Sequence, residues 1–194
     1  MLNASDASPT RGRARLRVLV PVLVLVAFVA IGAYLIFGQT KAPAEITYVS
    51  LIEHTAKYTV VLNVVSPQNM YTPQQVKQEN PTDGEVMFAG TMVMPPGMAG
   101  MSMSNMSYPA GWRHMEVHIY DRATNGVIGN ASPIMIVTDD QTRQQTNVPI
   151  VTMQSVVVGA SDFHYGNNAD LPAGHSYTAT VQVGSEVATF HFKL

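Results

Sequence analysis

Residues 112 to 121 read WRHMEVHIYD, which places His114, Glu116 and His118 at alternate positions. In an extended run, successive side chains leave on opposite faces. His114, Glu116, His118 and Tyr120 then share one face, and Met115, Val117 and Ile119 point into a core. Positions two apart in a strand lie about 6.5 to 7 Å apart, so two imidazoles, or an imidazole and a carboxylate, can reach one metal ion. The competing reading is an ordinary polar face that carries two histidines and an acid.

Upstream, MVMPPGMAGMSMSNM spans Met92 to Met106 and holds six of the chain's 12 methionines. Thioether is a soft ligand that selects Cu(I), and in a chain with no cysteine it is the only sulfur present. Met98, Met101, Met103 and Met106 are therefore candidate metal ligands. Methionine is also pliable enough to fill gaps or to form an adaptable contact surface. A loop of Pro, Gly and Ser has little core to fill, which favours metal capture, with an adhesive patch as the alternative. Met92 and Met94 flank Val93 and can simply end a strand.

The third stretch is SDFHYGNNADLPAGHSY, residues 161 to 177. Gly166, Asn167 and Asn168 are turn formers, which predicts His164 and Tyr165 at a loop apex, projecting toward a cleft. His175 starts the next strand and can share that end or be unrelated. His54 and His191 read as structural. No G-x-S-x-G, H-E-x-x-H, phosphate-binding loop or dinucleotide fingerprint occurs, so hydrolase, zinc-protease and nucleotide-dependent readings have no foothold. A blue-copper electron carrier would need a Cys thiolate. A non-enzymatic protein is expected.

The elements that must position these groups follow from punctuation and periodicity. Val18 to Phe37 is twenty uncharged residues behind Arg11, Arg13, Arg15 and Arg17, long enough to cross a hydrocarbon core of roughly 30 Å with its basic flank inside. An uncleaved anchor is preferred to a cleaved signal peptide, whose apolar region is shorter. The expected organisation is a basic cytoplasmic tail over 1–17, a transmembrane anchor over 18–37, a linker over 38–45, and an extracytoplasmic domain over 46–194 with the Met-rich loop at 92–106. Beyond the anchor, seven Lys/Arg face twelve Asp/Glu, an acidic balance that argues against a nucleic-acid partner.

In the domain, short runs rich in Val, Ile, Thr and Tyr are bounded by Gly, Pro, Asn and Asp, which is strand chemistry. Strands are expected at 46–54, 57–65, 85–93, 112–121, 133–138, 149–158, 177–183 and 187–194, the last two joined as a hairpin through Gly184 and Ser185. No amphipathic helix is evident outside the anchor, and Ser66 to Gly84 reads as a long surface loop. The fold class is all-β: an immunoglobulin-like or cupredoxin-like antiparallel sandwich preceded by one transmembrane helix.

The Met/Pro/Gly-rich segment, HMEVHIYD, Met153 and FHYGNNADLPAGHSYTATVQV together resemble the bacterial periplasmic iron-transport and membrane-antigen family over about Met92 to Leu194. The resemblance implies an immunoglobulin-like sandwich carrying a copper and iron site between a strand similar to H-x-E-x-x-I and a later H-Y-G-x-N segment. It implies His164 as the turn ligand, Glu116 as the strand carboxylate, Met153 as the soft ligand and His114 at or beside the ion. The chain departs from the pattern in three ways: Met153 is further from His164 than in the family, a late histidine has no counterpart unless His175 serves, and the Met-rich loop and anchor are additions. The expected function is capture of copper, with iron as second candidate, for transfer to a membrane permease or oxidase, and the expected partner is a membrane permease or metalloprotein acceptor. A second copy of the chain is a further candidate partner. Imidazole binding is expected to weaken below roughly pH 6, whereas thioether does not protonate. The competing reading is a non-catalytic interaction domain whose Met-rich loop contacts a partner protein.

Overall fold

The computed structural model describes residues 47–101 and 106–194. The basic tail, the anchor at Val18 to Phe37, the linker and Met103 lie outside the described residues, and among those described no helix is long and apolar enough to cross a membrane.

The β-branched and aromatic runs form β1 (Thr47–His54), β2 (Tyr58–Val65), β3 (Met70–Tyr71), β4 (Glu85–Ala89), β5 (Trp112–Asp121), β6 (Ile134–Asp139), β7 (Gln145–Val148), β8 (Val151–Ser155), β9 (His164–Asp170), β10 (Ser176–Val183) and β11 (Glu186–Lys193). Seven strands make one sheet in the order β1-β2-β5-β9-β8-β4-β3, and four make a second in the order β11-β10-β6-β7. Val60, Leu62, Val64, Met115, Val117 and Ile119 from the larger sheet meet Met135, Val137, Ala179, Val181, Phe190 and Phe192 from the smaller, forming one core between two sheets. This is a β-sandwich. Its pairings are antiparallel except β3 with β4, which is parallel.

The expected β10–β11 hairpin is present, with Val183 opposite Glu186. Four expectations fail. The strand expected to reach Val93 stops at Ala89, because Gly90 takes a φ of +104° and a Cβ there would fall 2.7 Å from the Ile150 carbonyl oxygen. The Ser66 to Gly84 stretch is not all loop: it holds β3 and a helix, α1 (Pro73–Glu79). Thr72 caps α1 by accepting from the Gln75 backbone amide, while the Gln75 side chain accepts from the Thr72 amide, and Pro73 starts the first turn. That capping box is legible in the sequence; with seven residues and no buried side chain, α1 has no apolar stripe to betray it. Strand β7 was not expected either. The fourth failure concerns the site. HYGNN is not a turn but the first five residues of β9, a central strand flanked by β5 and β8.

The outer face of the larger sheet is also covered. Gln68, Val93 and Tyr108, from the segments before β3, after β4 and before β5, are hydrogen-bonded across it to Asn167, Asn168 and one another. This second buried face holds the candidate site.

Candidate metal centre

Because β5 is central, both of its faces are buried: Met115, Val117 and Ile119 lie in the sandwich core, and His114, Glu116 and His118 are enclosed on the other side. Register decides what they meet. His114 lies opposite Asn168 and Glu116 opposite Gly166 across β5–β9, and Met153 lies opposite His164 across β8–β9. The extra residues between Met153 and His164 are taken up by a short 3-10 turn at Gly159–Asp162.

Gly166 is the position sequence reasoning misassigned. A Cβ there would fall 1.8 Å from the Met115 carbonyl oxygen, so no other residue fits without breaking the pairing. With no side chain between His164 and Asn168 on β9, the rings of His114 and His164 approach to 5.9 Å between centroids, and those of His118 and His164 to 5.2 Å. Two donor groups result, each with its atoms within 4.8 Å of one another: His114, Glu116 and His164, and His118, Asp162 and His164. His164 belongs to both. Nitrogens on one tetrahedral ion sit about 3.3 Å apart, given metal–nitrogen bonds of about 2.0 Å, so side-chain torsions must close the groups slightly.

The hydrogen bonds fix which nitrogens face inward. Asn168 Nδ2 donates to the Gln68 carbonyl at 2.9 Å and to Tyr108 Oη at 3.2 Å, which leaves its Oδ1 as acceptor. His114 Nδ1 therefore carries the proton donated to Asn168 Oδ1 at 3.1 Å. His164 Nδ1 likewise donates to the Asp162 carbonyl at 2.7 Å. In both rings Nε2 keeps its lone pair, and both Nε2 atoms are buried with no hydrogen-bond partner. A buried acceptor left unmatched costs about 1–3 kcal/mol, so two in neighbouring rings are uneconomical unless something binds them. Outer-sphere acceptors fixing the tautomer while the other nitrogen faces a cation is how metal-bound histidines are held. The residues fit a metal ion.

Electrostatics point the same way. Burial holds His114 down to about 4; Glu116 and the Asn168 hydrogen bond oppose that, and His164 adds to it. Burial lowers His164 too, against the pull of Glu116. Burial by itself would raise the Glu116 carboxyl, but His118, 3.7 Å away, the imidazoles and the Asn63 amide at 3.2 Å together hold it below the ordinary carboxylate range. The buried site thus keeps two neutral imidazoles beside one carboxylate. Glu85 Oε2, on β4, lies 3.7 Å from His164 Nε2 and was not foreseen from the sequence.

The remaining sequence-derived candidates divide. Met153 is fully buried next to His164. Met101 is exposed, while Met98 and Met106 are half-buried; none of the three is brought against the imidazoles by any contact described. His175 does not join them. It pairs with Asp139 Oδ2 at 2.6 Å, on the smaller sheet's side, in a cavity of about 290 Å³. His54 and His191 bond to Thr59 and Thr178 on exposed surfaces.

No protein-family pattern and no curated protein matches the chain. Among solved structures it is similar to FetP of uropathogenic Escherichia coli strain F11, at 11% identity and a TM-score of 0.43, covering 79% of this chain and 97% of that one. It is similar to a copper-bound variant of Campylobacter jejuni P19, at 10% identity and a TM-score of 0.42, covering 78% and 97%. A DUF4426-family protein of Pseudomonas aeruginosa follows at 10% and 0.39, covering 74% and 90%. Likeness at this level decides nothing about chemistry.

Proposed function

We propose that this is a membrane-anchored, extracytoplasmic metal-binding protein on an immunoglobulin-like or cupredoxin-like sandwich. It captures copper, with iron as second cargo, and passes the ion to a membrane permease or metalloprotein acceptor. One observation supports the reading: two buried imidazoles, each with an Nε2 that has no hydrogen-bond partner, share one donor group with a carboxylate. Imidazole suits copper and iron alike, carboxylate oxygen suits the harder ion, and the thioether of Met153 suits Cu(I). The site asks for no nucleophile and no substrate cleft, only an ion small enough to pass the covering loops.

His164 is shared by both donor groups, which gives the test its logic. Replacing His164 with Gln should abolish high-affinity Cu(II) binding and the nitrogen hyperfine pattern in the Cu(II) electron paramagnetic resonance spectrum, whereas replacing His118 should remove only one group and weaken binding partially. Equal affinity for Cu(II) in the His164 variant and the parent chain would end the proposal. The competing interaction-domain reading rests on the exposed Met101. Replacing Met98, Met101, Met103 and Met106 together with Leu keeps apolar volume and removes ligation, so Cu(I) capture should fall while a purely hydrophobic contact would survive.

A further inference from the structure

Besides the Met-rich loop, the larger sheet carries a methionine group of its own, whose grouping was not visible in the sequence. Met70 and Met153 are buried with Val151 on the outer face of the larger sheet, and Met87 and Met92 pack against them. Four of the five residues in that cluster are methionine. Between the sheets, only Met115 and Met135 occur among the nineteen buried residues of the main core. A gap-filling role would distribute methionine without regard to position, and leucine would serve as well. Here it is concentrated on one side of one site.

The placement is ordered. Met87 lies opposite Met153 across β4–β8, and Met153 lies opposite His164 across β8–β9, so thioether, thioether and imidazole occupy directly paired positions on three neighbouring strands. Side chains opposed in this way have Cβ atoms about 4.5–5.5 Å apart. Met92 stands at the beginning of the Met-rich loop, with its Sδ 4.0 Å from Tyr108 Oη. Asn167 ties that end of the loop down, donating to the Thr91 carbonyl and accepting from the Val93 amide. Asn168 holds Tyr108 just beyond the other end and at the same time orients His114.

Resting on the reading of the imidazole site as a metal centre, we infer that Met87 and Met92, with Met153 shared with that centre, form a second, Cu(I)-selective thioether site between the Met-rich loop and the imidazoles. Soft sulfur donors hold a monovalent d10 ion and discriminate against harder cations. No electron transfer is needed, since the ion enters and leaves as Cu(I). The loop delivers to Met92, Met87 and Met153 accept, and Met153 adjoins the first imidazole.

The test uses the full chain in detergent, labelled with 13C at the methionine methyls, with Ag(I) as the redox-inert probe. In a background where Met98, Met101, Met103 and Met106 are Leu, one Ag(I) should still bind and shift the methyl signals of Met87, Met92 and Met153. Adding Met87→Leu and Met92→Leu should weaken that binding at least about tenfold while leaving Cu(II) affinity unchanged. No Ag(I) bound in the loop-free background, or unchanged Ag(I) affinity after the two further substitutions, would overturn the thioether site. Loss of Cu(II) binding in the unaltered chain would instead defeat the imidazole centre, so the two failures are distinguishable.

Discussion

Acid should unfold this protein in two stages, and the first belongs to the imidazoles. His114 is completely enclosed and its pKa falls from 6.5 to about 4, chiefly because burial excludes the charged form. With the folded value depressed, the unfolded chain binds more protons between those limits. Stability is therefore at its full value above pH 6.5 and declines as pH falls toward 4. At about 1.4 kcal/mol per pKa unit, His114 accounts for a loss of about 3 kcal/mol, and His164, lowered for the same reason, adds to it. Glu116 acts in a later window: its folded value lies below 4.5, so its stabilisation is present above that pH and disappears only on further acidification. The assay is urea unfolding of the metal-free protein at pH 7, 5.5 and 4, followed by the fluorescence of Trp112, the single tryptophan, buried two residues from His114. Replacing His114 with Gln removes the titrating group, so the variant should lose about 3 kcal/mol less than the parent between pH 7 and pH 4. Parallel pH dependences would refute the claim that His114 is held neutral. With the folded value this low, protons should compete for His114 Nε2 only as pH approaches 4.

Two further outcomes follow from the geometry. Gly166→Ala should prevent folding or destabilise by more than about 4 kcal/mol, the range reserved for named steric failures, because the new Cβ meets the Met115 carbonyl at 1.8 Å; a Tm within a few degrees of the parent would show that β9 can shift. Asn168→Asp keeps an acceptor for His114 but loses the donor to Gln68 and Tyr108, at a cost of about 1–3 kcal/mol. It should also expose the loop base, read as faster amide exchange at Val93 without loss of the His114 imidazole signal.

Much of the scaffold was legible because strand chemistry is local. The WRHMEVHIYD alternation gave β5 with both its faces, and Gly184 with Ser185 gave the final hairpin, since β-branched period-two runs and turn dipeptides need no knowledge of the rest of the chain. The candidate site was legible only in its residue types. Gly-Asn-Asn reads as a turn by intrinsic preference, yet the structure uses each residue for a tertiary purpose. Gly166 admits the Met115 carbonyl, Asn167 satisfies Thr91, Val93 and Pro149, and Asn168 satisfies Gln68, Tyr108 and His114. Buried amides so fully used stabilise an extended conformation that propensity alone disfavours.

The same segment explains why the loop and the site belong together. An asparagine that only capped a turn would tolerate Ser or Asp. Asn168 instead donates twice and accepts from both His114 and Gln68, so its amide orientation is determined by the covering segments, and that orientation in turn settles which imidazole nitrogen of His114 keeps its lone pair. Any displacement of Tyr108 or Gln68 frees the amide to flip, and a flipped amide would present N–H to Nδ1 and move the His114 proton to Nε2, closing that lone pair to an ion. Glu85 shows the complementary limit of sequence reading: it is an ordinary acid in an ordinary strand until register places β4 two strands from β9 and brings its carboxylate to 3.7 Å from His164. Neither relation is encoded in a local pattern. Both arise from pairing order, which is why the donor types could be named from the sequence while their arrangement had to come from the fold.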